Sequence, residues 1–214
     1  MRMKRYLLLL IFTILFFAGF TQRFNGGVYI GGDVSQVDGD NNSGFNKFGY
    51  LAGALVGLRV SPHSSFQMEI GYIQKGSRIN ADSLNMGNTY LMRFHYLEVP
   101  LLYQYTFAKR FSVEAGPAMD VILGSLEEVN GFESPSRVPL RPVTLAGILG
   151  VSGFITNHLK ANFRFNYSIL SIRDISGLQR IPPSYRYIFF EWGQYNNVLS
   201  FSLYWYFKED DFRF

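Results

Sequence analysis

The clearest pattern in the chain is the strict alternation of apolar and polar residues over 159–169, LKANFRFNYSI. Apolar or aromatic residues occupy the odd positions and polar residues the even ones. A period of two is typical of a β-strand with one apolar and one polar face. Strands of soluble proteins usually have about 5–6 residues, whereas a tilted strand needs about 9–11 to cross a bilayer. The stretch is therefore long enough to span a membrane, provided that other strands complete the sheet.

Seven further segments show the same period, although glycine blurs it in the first two. The predicted strands cover residues 24–37, 48–60, 66–75, 90–105, 111–123, 143–155, 159–169 and 196–207. Their connections alternate in length, with four long loops and three short turns. Outer-membrane barrels have an even number of strands, short periplasmic turns and long external loops. The pattern thus predicts an all-β fold, an eight-stranded antiparallel transmembrane β-barrel, with both termini in the periplasm.

The N-terminus has the features of an export signal. Three of the first five residues are basic, an apolar run follows over 6–20, and small residues lie near its end. The run is shorter than the roughly 20 residues of a membrane helix, so we expect a cleaved signal peptide over 1–21 rather than an uncleaved anchor. The barrel domain is then 22–214. Cleavage lowers the formal net charge from +4 to +1, so the basic balance does not indicate a nucleic-acid partner.

The polar faces of the predicted strands carry charges of both signs. Side chains fill the lumen of an eight-stranded barrel, and an unpaired buried charge is costly. We therefore expect an internal ion-pair network, with a proton or ion path as the alternative. The candidate lumen residues are Arg59, Glu69, Lys75, Glu98, Glu114, Asp120, Lys160 and Arg164. Pro100 interrupts a predicted strand, and we expect a bulge or a local break there because proline cannot donate to a ladder.

The three histidines define what catalysis the chain could support. His63 and His158 fall in short turns, and His95 lies toward the outer end of a predicted strand on its lipid-facing side. A barrel hydrolase or acyltransferase needs a histidine beside a serine and a carboxylate. Ser77 and Glu69 are the nearest such residues, but Glu69 is expected to point inward. We therefore expect no catalytic residues and no enzymatic activity.

Cofactors are also not expected. Cysteine is absent, which excludes disulfides and thiol catalysis. The histidines are not clustered, so a transition-metal site is not expected either. The run DGDNN at 38–42 offers oxygen ligands that calcium could take, although its composition is that of an ordinary loop.

The last long loop is rich in aromatic residues, reading IPPSYRYIFFEW over 181–192. This is more aromatic surface than a solvated loop normally carries. One interpretation is that part of the segment extends the final strand and joins an outer aromatic girdle. The other is a docking surface for another outer-membrane protein or a secreted substrate. The candidate docking residues are Tyr185, Tyr187, Phe189, Phe190 and Trp192.

Four segments carry a resemblance to a known family. They are EIGYIQKGSR (69–78), YLEVPLLYQY (96–105), VEAGPAMDVIL (113–123) and YNNVLSFSLYWYF (195–207). Through them the chain resembles the PorT-like outer-membrane β-barrel proteins of Bacteroidota over essentially its whole mature length. The resemblance implies an outer-membrane location and no catalytic residue, and PorT itself is implicated in type IX protein secretion. The aromatic last strand is similar to the signal read by the barrel assembly machinery.

These observations together predict the function and the partners. We expect an outer-membrane barrel that acts as an accessory or assembly subunit of an envelope complex, with protein secretion as the process the resemblance implies. A narrow porin-like channel is the alternative, and a lipid-modifying outer-membrane enzyme is a third hypothesis. The expected partners are outer-membrane lipid, another outer-membrane or secretion protein, and the barrel assembly machinery during insertion.

Overall fold

The structure is a computed structural model that describes residues 23–40, 42, 44–82, 86–108, 110–134, 138–176, 185–188 and 191–208. The predicted signal peptide lies outside these residues. No helix in the described part of the chain is long and apolar enough to span a membrane. The strands are β1 (Arg23–Asp38), β2 (Lys47–Arg59), β3 (Ser64–Ile79), β4 (Tyr90–Ala108), β5 (Phe111–Val129), β6 (Phe132–Glu133), β7 (Val143–Phe154), β8 (Leu159–Ser168), β9 (Arg186–Ile188), β10 (Glu191–Gly193) and β11 (Tyr195–Tyr206).

Eight of these strands close into a barrel. Each of β1, β2, β3, β4, β5, β7, β8 and β11 pairs antiparallel with the next, and β11 returns to pair with β1. The predicted eight-stranded antiparallel barrel is thus confirmed. The observed strands match the predicted ones closely, except that β3 and β5 continue for several residues beyond 75 and 123.

Side chains alternate between the lumen and the outer surface along the barrel strands. In β8 every even position is buried and every odd position is at least partly exposed. Large apolar side chains dominate the outer surface, among them Ile30, Phe48, Leu149 and Phe201. A soluble protein buries such residues, whereas a transmembrane barrel turns them toward lipid and keeps polar groups inside.

The connections define two ends, which we call the short-turn end and the long-loop end. At the short-turn end, His63 lies in the turn between β2 and β3. The Ser61 hydroxyl accepts the backbone N–H of His63 at 3.3 Å, and Nδ1 of His63 donates to the Thr106 carbonyl at 2.9 Å. The His63 ring also lies against Tyr105 on β4. The same arrangement recurs in the turn between β7 and β8, where the equivalent residues are Thr156, His158, Trp205 and Tyr206. Each histidine therefore fastens its turn to the end of a neighbouring strand.

The barrel wall is uneven at the long-loop end. The β2–β3 ladder stops at the pair Leu51 and Ile73, although both strands continue beyond it. The β3–β4 ladder runs on to Ile79 opposite Tyr90, and the β4–β5 ladder on to Tyr90 opposite Val129. Strands β3, β4 and β5 therefore project beyond the last β2–β3 pair.

Of the two irregularities expected at Pro100, a bulge or a local break, the structure shows a local break and no bulge. The register between β4 and β5 is the same on both sides of Pro100, and it shifts instead between His95 and Tyr96 and again near the turn. On the other side of β4, the ladder with β3 skips the positions between Met68 and Gly71 but resumes in the same register. Loss of the proline N–H therefore interrupts a ladder without inserting a residue.

Glycine occupies several positions of β1 in its ladder with β11. This ladder runs over twelve pairs, from Gly27 opposite Tyr206 to Asp38 opposite Tyr195. A Cβ atom at Gly27 or at Gly31 would clash with a backbone carbonyl oxygen of β11. The first and last strands can approach this closely only because these positions carry no side chain.

Candidate functional site

Two clusters of charged side chains occupy the lumen, and the first lies in its short-turn half. We call Glu69, Glu114 and Arg164 the short-turn cluster. Arg164 donates from both terminal nitrogens to the two oxygens of Glu69, at 2.7 and 2.6 Å, and from Nε to Glu114 Oε1 at 2.5 Å. All three residues are buried. One guanidinium thus bridges strands β3, β5 and β8 across the barrel.

Neutral side chains complete this cluster. Glu114 accepts further hydrogen bonds from Asn162 and from Gln104, each at 2.9 Å. Glu69 accepts from Gln67 at 2.5 Å and from the Tyr204 hydroxyl. Every carboxylate oxygen of the short-turn cluster therefore has a donor, which is what makes a buried ion pair tolerable.

The second cluster lies closer to the long-loop end and is built around Lys75. We call Asp33, Lys47, Lys75, Glu98 and Asp120 the long-loop cluster. The fully buried Lys75 ammonium donates to Glu98 at 2.6 Å and to Asp120 at 2.8 Å. Lys47 donates to the Gln74 backbone carbonyl at 2.7 Å and to its side-chain oxygen at 3.1 Å, beyond the end of the β2–β3 ladder.

This second cluster is incompletely satisfied. Neither oxygen of Asp33 has a hydrogen-bond partner among the described residues, although Asp33 is only 4% exposed. One oxygen of Asp120 is also unpartnered. Buried side-chain oxygens of Thr144, Asn166 and Asn196 also lack a hydrogen-bond partner among the described residues. The long-loop half of the lumen therefore holds several buried acceptors that lack donors from the protein.

The structure places the eight predicted lumen residues as follows. Seven are buried inside the barrel, and Arg59 is partly exposed at the short-turn rim. Lys160 differs from the others, since its ammonium lies 5.2–5.7 Å from the ring centres of Phe154, Tyr204 and Tyr206. The face of an aromatic ring attracts a cation. The two charged clusters and these aromatic rings together fill the lumen with side chains.

Asp33 and Lys47 were missed as lumen residues by the sequence analysis. Asp33 had a signal, because it shares its parity with the inward-facing Tyr29 and Ser35. Lys47 had no such signal in the sequence, because it follows a polar run and was included in the predicted loop.

Loop residues form a further ion pair at the long-loop end. Arg173 is buried and donates to Glu127, to the Val138 carbonyl at 2.7 Å and to Gln194 at 2.8 Å. A second pair, Arg141 with Glu191, is more exposed. These contacts join the connection between β8 and β11 to the end of β5 and the connection after it, which the sequence pattern could not predict because a period of two does not encode loop contacts.

The candidate docking residues differ in their exposure to solvent. Tyr187 and Trp192 face each other in the β9–β10 hairpin, with ring centres 5.9 Å apart and exposed fractions of 56% and 46%. Tyr185 is only 4% exposed, so its assignment to a docking surface is wrong. It is packed beneath the loops, where burial raises the pKa of its phenol and the charge of Arg173 opposes that effect. Phe189 and Phe190 lie outside the described residues.

The hairpin is also separate from the barrel. Strands β9 and β10 form their own two-stranded sheet, and β11 begins only at Tyr195. The interpretation that this segment extends the final strand is therefore wrong for the described hairpin.

The structure does not assemble a catalytic triad at His95. Nδ1 of His95 is hydrogen-bonded to the Tyr72 hydroxyl at 2.5 Å. Ser77 is buried on the inward face of β3, and Glu69 is held by Arg164 in the lumen. Among the described residues there is also no group of three or more side chains that could hold a metal ion.

Solved structures of three outer-membrane proteins are similar to this chain. Neisserial surface protein A has a TM-score of 0.50 and 11% sequence identity, with 86% of this chain and 97% of that chain covered. Ail of Yersinia pestis has a TM-score of 0.46 and 10% identity, with 86% and 99% covered. OprG of Pseudomonas aeruginosa has a TM-score of 0.41 and 14% identity, with 87% and 95% covered.

The sequence comparison is more specific. No curated protein matches the chain in sequence. Residues 16–174 match the family described as outer membrane protein beta-barrel domain. This match covers most of the chain and agrees with the closed barrel and its apolar outer surface. The chain belongs to the outer membrane protein β-barrel domain family.

Proposed function

We propose that this outer-membrane barrel is a structural or interaction subunit of an envelope complex rather than a channel or an enzyme. The filled lumen carries the proposal. Lys75, Lys160 and Asp120 are each at most 1% exposed and are held by opposite charges or aromatic rings, so transport through the barrel would require breaking these contacts. The resemblance to PorT-like barrels makes protein secretion the process to test first.

The partner surface that we propose is the β9–β10 hairpin. Tyr187 and Trp192 present half-exposed aromatic rings at the long-loop end, and such residues dominate the binding energy of many interfaces. Arg141 and Glu191 hold the hairpin against the preceding long loop. A rigidly held aromatic pair binds at a smaller entropic cost than a free loop.

Capture from gently solubilised outer membranes tests this proposal. The full chain with Tyr187→Ser and Trp192→Ser is compared with the wild type and with Phe132→Ser. Phe132 is a matched control, because it is an exposed aromatic residue in the separate β5–β6 hairpin. We expect a stoichiometric partner that is lost only with the double variant. Capture of the barrel alone by the wild type would contradict the proposal.

The orientation is also a proposal, with the long-loop end outside the cell. The chain has no cysteine, so single cysteines can be introduced without background. Ala81→Cys and Asn157→Cys place one exposed thiol at each end of the barrel. We expect a membrane-impermeant maleimide to label the first on intact cells and the second only after lysis. The reverse pattern would invert the orientation.

A narrow channel is the second candidate, favoured by the unpartnered oxygens of the long-loop cluster. Buried acceptors without protein donors are ordinarily satisfied by water, and a chain of waters could carry small ions or protons. Single-channel recording with the purified wild-type protein decides between the candidates. A steady conductance that changes in Asp33→Asn would support the channel, and no conductance would exclude it.

A further inference from the structure

An arginine on the outer surface of the barrel has no ion-pair partner among the described residues. Arg93 belongs to the outward-facing positions of β4, where it lies opposite Gly76 on β3 and Leu126 on β5. Its side chain is partly buried, and its Nε atom is buried without a hydrogen-bond partner. Among the described residues, Arg93 forms no ion pair.

The charges around Arg93 increase its need for an anion. Lys47 and His95 both lie close enough for the charge of Arg93 to act on them, and both carry or can acquire positive charge. Lys47 is offset by Asp33 on the lumen side. On the outward face the nearby acidic residues are Glu128, opposite Leu91, and Glu133, opposite Glu128, and neither forms an ion pair with Arg93 among the described residues. The internal stretches outside the described residues contain no aspartate or glutamate in the sequence.

The surroundings place this arginine at a membrane interface. On the short-turn side of it, Tyr50 stacks on Tyr72 with ring centres 5.3 Å apart, as in the aromatic girdles of outer-membrane barrels. On its long-loop side, Arg78 is exposed on the same face of β3. Gly76, between Tyr72 and Arg78, has a φ of 147°, and a Cβ atom there would clash with the Met92 carbonyl oxygen. The absence of a side chain at Gly76 therefore lets β3 approach β4 closely beside Arg93.

We propose that Arg93, with His95 and Tyr72 beside it and Arg78 beyond it, binds the phosphate group of an outer-leaflet lipid. The proposal rests on the orientation proposed above, with the long-loop end outside. A guanidinium pairs with phosphate through two parallel hydrogen bonds, and an aromatic girdle marks the headgroup level at which lipid phosphates lie. The buried Nε atom of Arg93 lacks an acceptor, and a phosphate oxygen would supply one.

The test uses lipid A with its phosphate groups and the same lipid A after phosphatase treatment. Binding to the purified full chain in zwitterionic detergent is measured by native mass spectrometry. The variant is Arg93→Gln, and the control is Arg110→Gln, an exposed arginine in a short turn at the opposite end. We expect Arg93→Gln to weaken binding of phosphorylated lipid A at least about tenfold, since a charge-assisted pair is lost. The control should bind like the wild type.

Two further measurements separate the phosphate site from a general effect. Dephosphorylated lipid A should bind the wild type no better than phosphorylated lipid A binds Arg93→Gln. Without phosphorylated lipid, Arg93→Gln should unfold at the same temperature as the wild type or higher, because an uncompensated charge is removed. Arg93→Lys keeps the charge but not the paired hydrogen bonds, so its affinity should fall between the two.

Specific results would overturn the proposal. Equal affinity of the wild type and a folded Arg93→Gln for phosphorylated lipid A would remove it. Displacement of the lipid by millimolar inorganic phosphate would assign the site to free phosphate instead. Arg93-dependent binding of phosphatidylglycerol but not lipid A would refute the outer-leaflet assignment. None of these results depends on the β9–β10 hairpin, so failure here is distinguishable from failure of the proposed partner surface.

Discussion

The two halves of the lumen handle buried charge differently. In the short-turn cluster, one arginine serves two carboxylates and neutral donors fill every remaining carboxylate oxygen. In the long-loop cluster, Asp33 lacks any hydrogen bond and Asp120 keeps one oxygen unpartnered. The first half is therefore organised as a rigid brace between strands. Unpartnered buried oxygens occur in both halves, but in the first they belong to neutral side chains such as Ser152 and Asn162, whereas in the second they include carboxylate oxygens.

The largest effect should come from breaking the short-turn cluster. Arg164→Met leaves Glu69 and Glu114 buried without their cation, and removal of one partner from a buried pair costs about 3–5 kcal/mol. We expect a clear fall in the urea concentration at which half the barrel is unfolded, read from electrophoretic mobility without boiling. Arg110→Met, at an exposed site, should stay within about 0.5 kcal/mol. Equal midpoints for both variants would show that the brace does not stabilise the barrel.

A steric change in the same half should have the next largest effect. Tyr29 stacks on Tyr204, which donates to Glu69, and the Tyr29 hydroxyl fills the space above Gly71. Gly71→Ala places a methyl group against that hydroxyl, and overpacking costs about 1–3 kcal/mol. Gly57→Ala is the control, since its nearest contact would be at 3.7 Å. The same urea assay measures both, and an unchanged midpoint for Gly71→Ala would mean that Tyr29 can move aside.

The histidine turns should contribute a smaller amount to the short-turn half. His158→Ala removes the hydrogen bond to the Tyr206 carbonyl and the stacking on Trp205, for which we expect a loss of about 1 kcal/mol. His63→Ala should behave alike, because its turn has the same geometry. Asn157→Ala serves as the exposed control in the same turn. A marked difference between the two histidine variants would argue against equivalent turns.

The smallest effect should come from the long-loop cluster. Asp33→Asn breaks no hydrogen bond, and Lys47 keeps its two hydrogen bonds to Gln74 when the nearby negative charge is removed, so we expect a change below about 0.5 kcal/mol. Glu114→Gln, the equivalent change in the short-turn cluster, should cost about 1.5–3 kcal/mol because it disrupts charge-assisted bonds to Arg164. Similar losses in the two variants would remove the distinction between the halves.

The alternation of residues was sufficient to predict the barrel and the side of the wall on which most residues lie. The exact register was not needed for this result, because a shift by an even number of residues keeps each side chain on the same face. For this reason the inward placement of Glu69, Glu98 and Arg164 could be predicted without knowing their partners.

The remaining errors come from contacts that a period of two does not encode. Lys47 begins a strand directly after a polar loop, and nothing in that loop marks where pairing resumes. The register shift at Tyr96 was not predicted, whereas Pro100 causes only the local break that was one of its two expected effects. Tyr185 is buried because other loops pack over it, which depends on residues distant in sequence. Aromatic content alone could not separate it from the exposed Tyr187.

The glycine-bearing ladder between β1 and β11 has a consequence for the order of folding. Every other ladder of the barrel joins strands that are consecutive among the eight barrel strands, whereas this one joins the first barrel strand to the last. Closing so long a loop is entropically the most costly step, so hairpins form early and the cylinder closes last. Until then, β1 and β11 are open edges able to pair with other chains. A side chain at Gly27 or Gly31 would therefore act mainly on this final step, lengthening the time during which the sheet can aggregate.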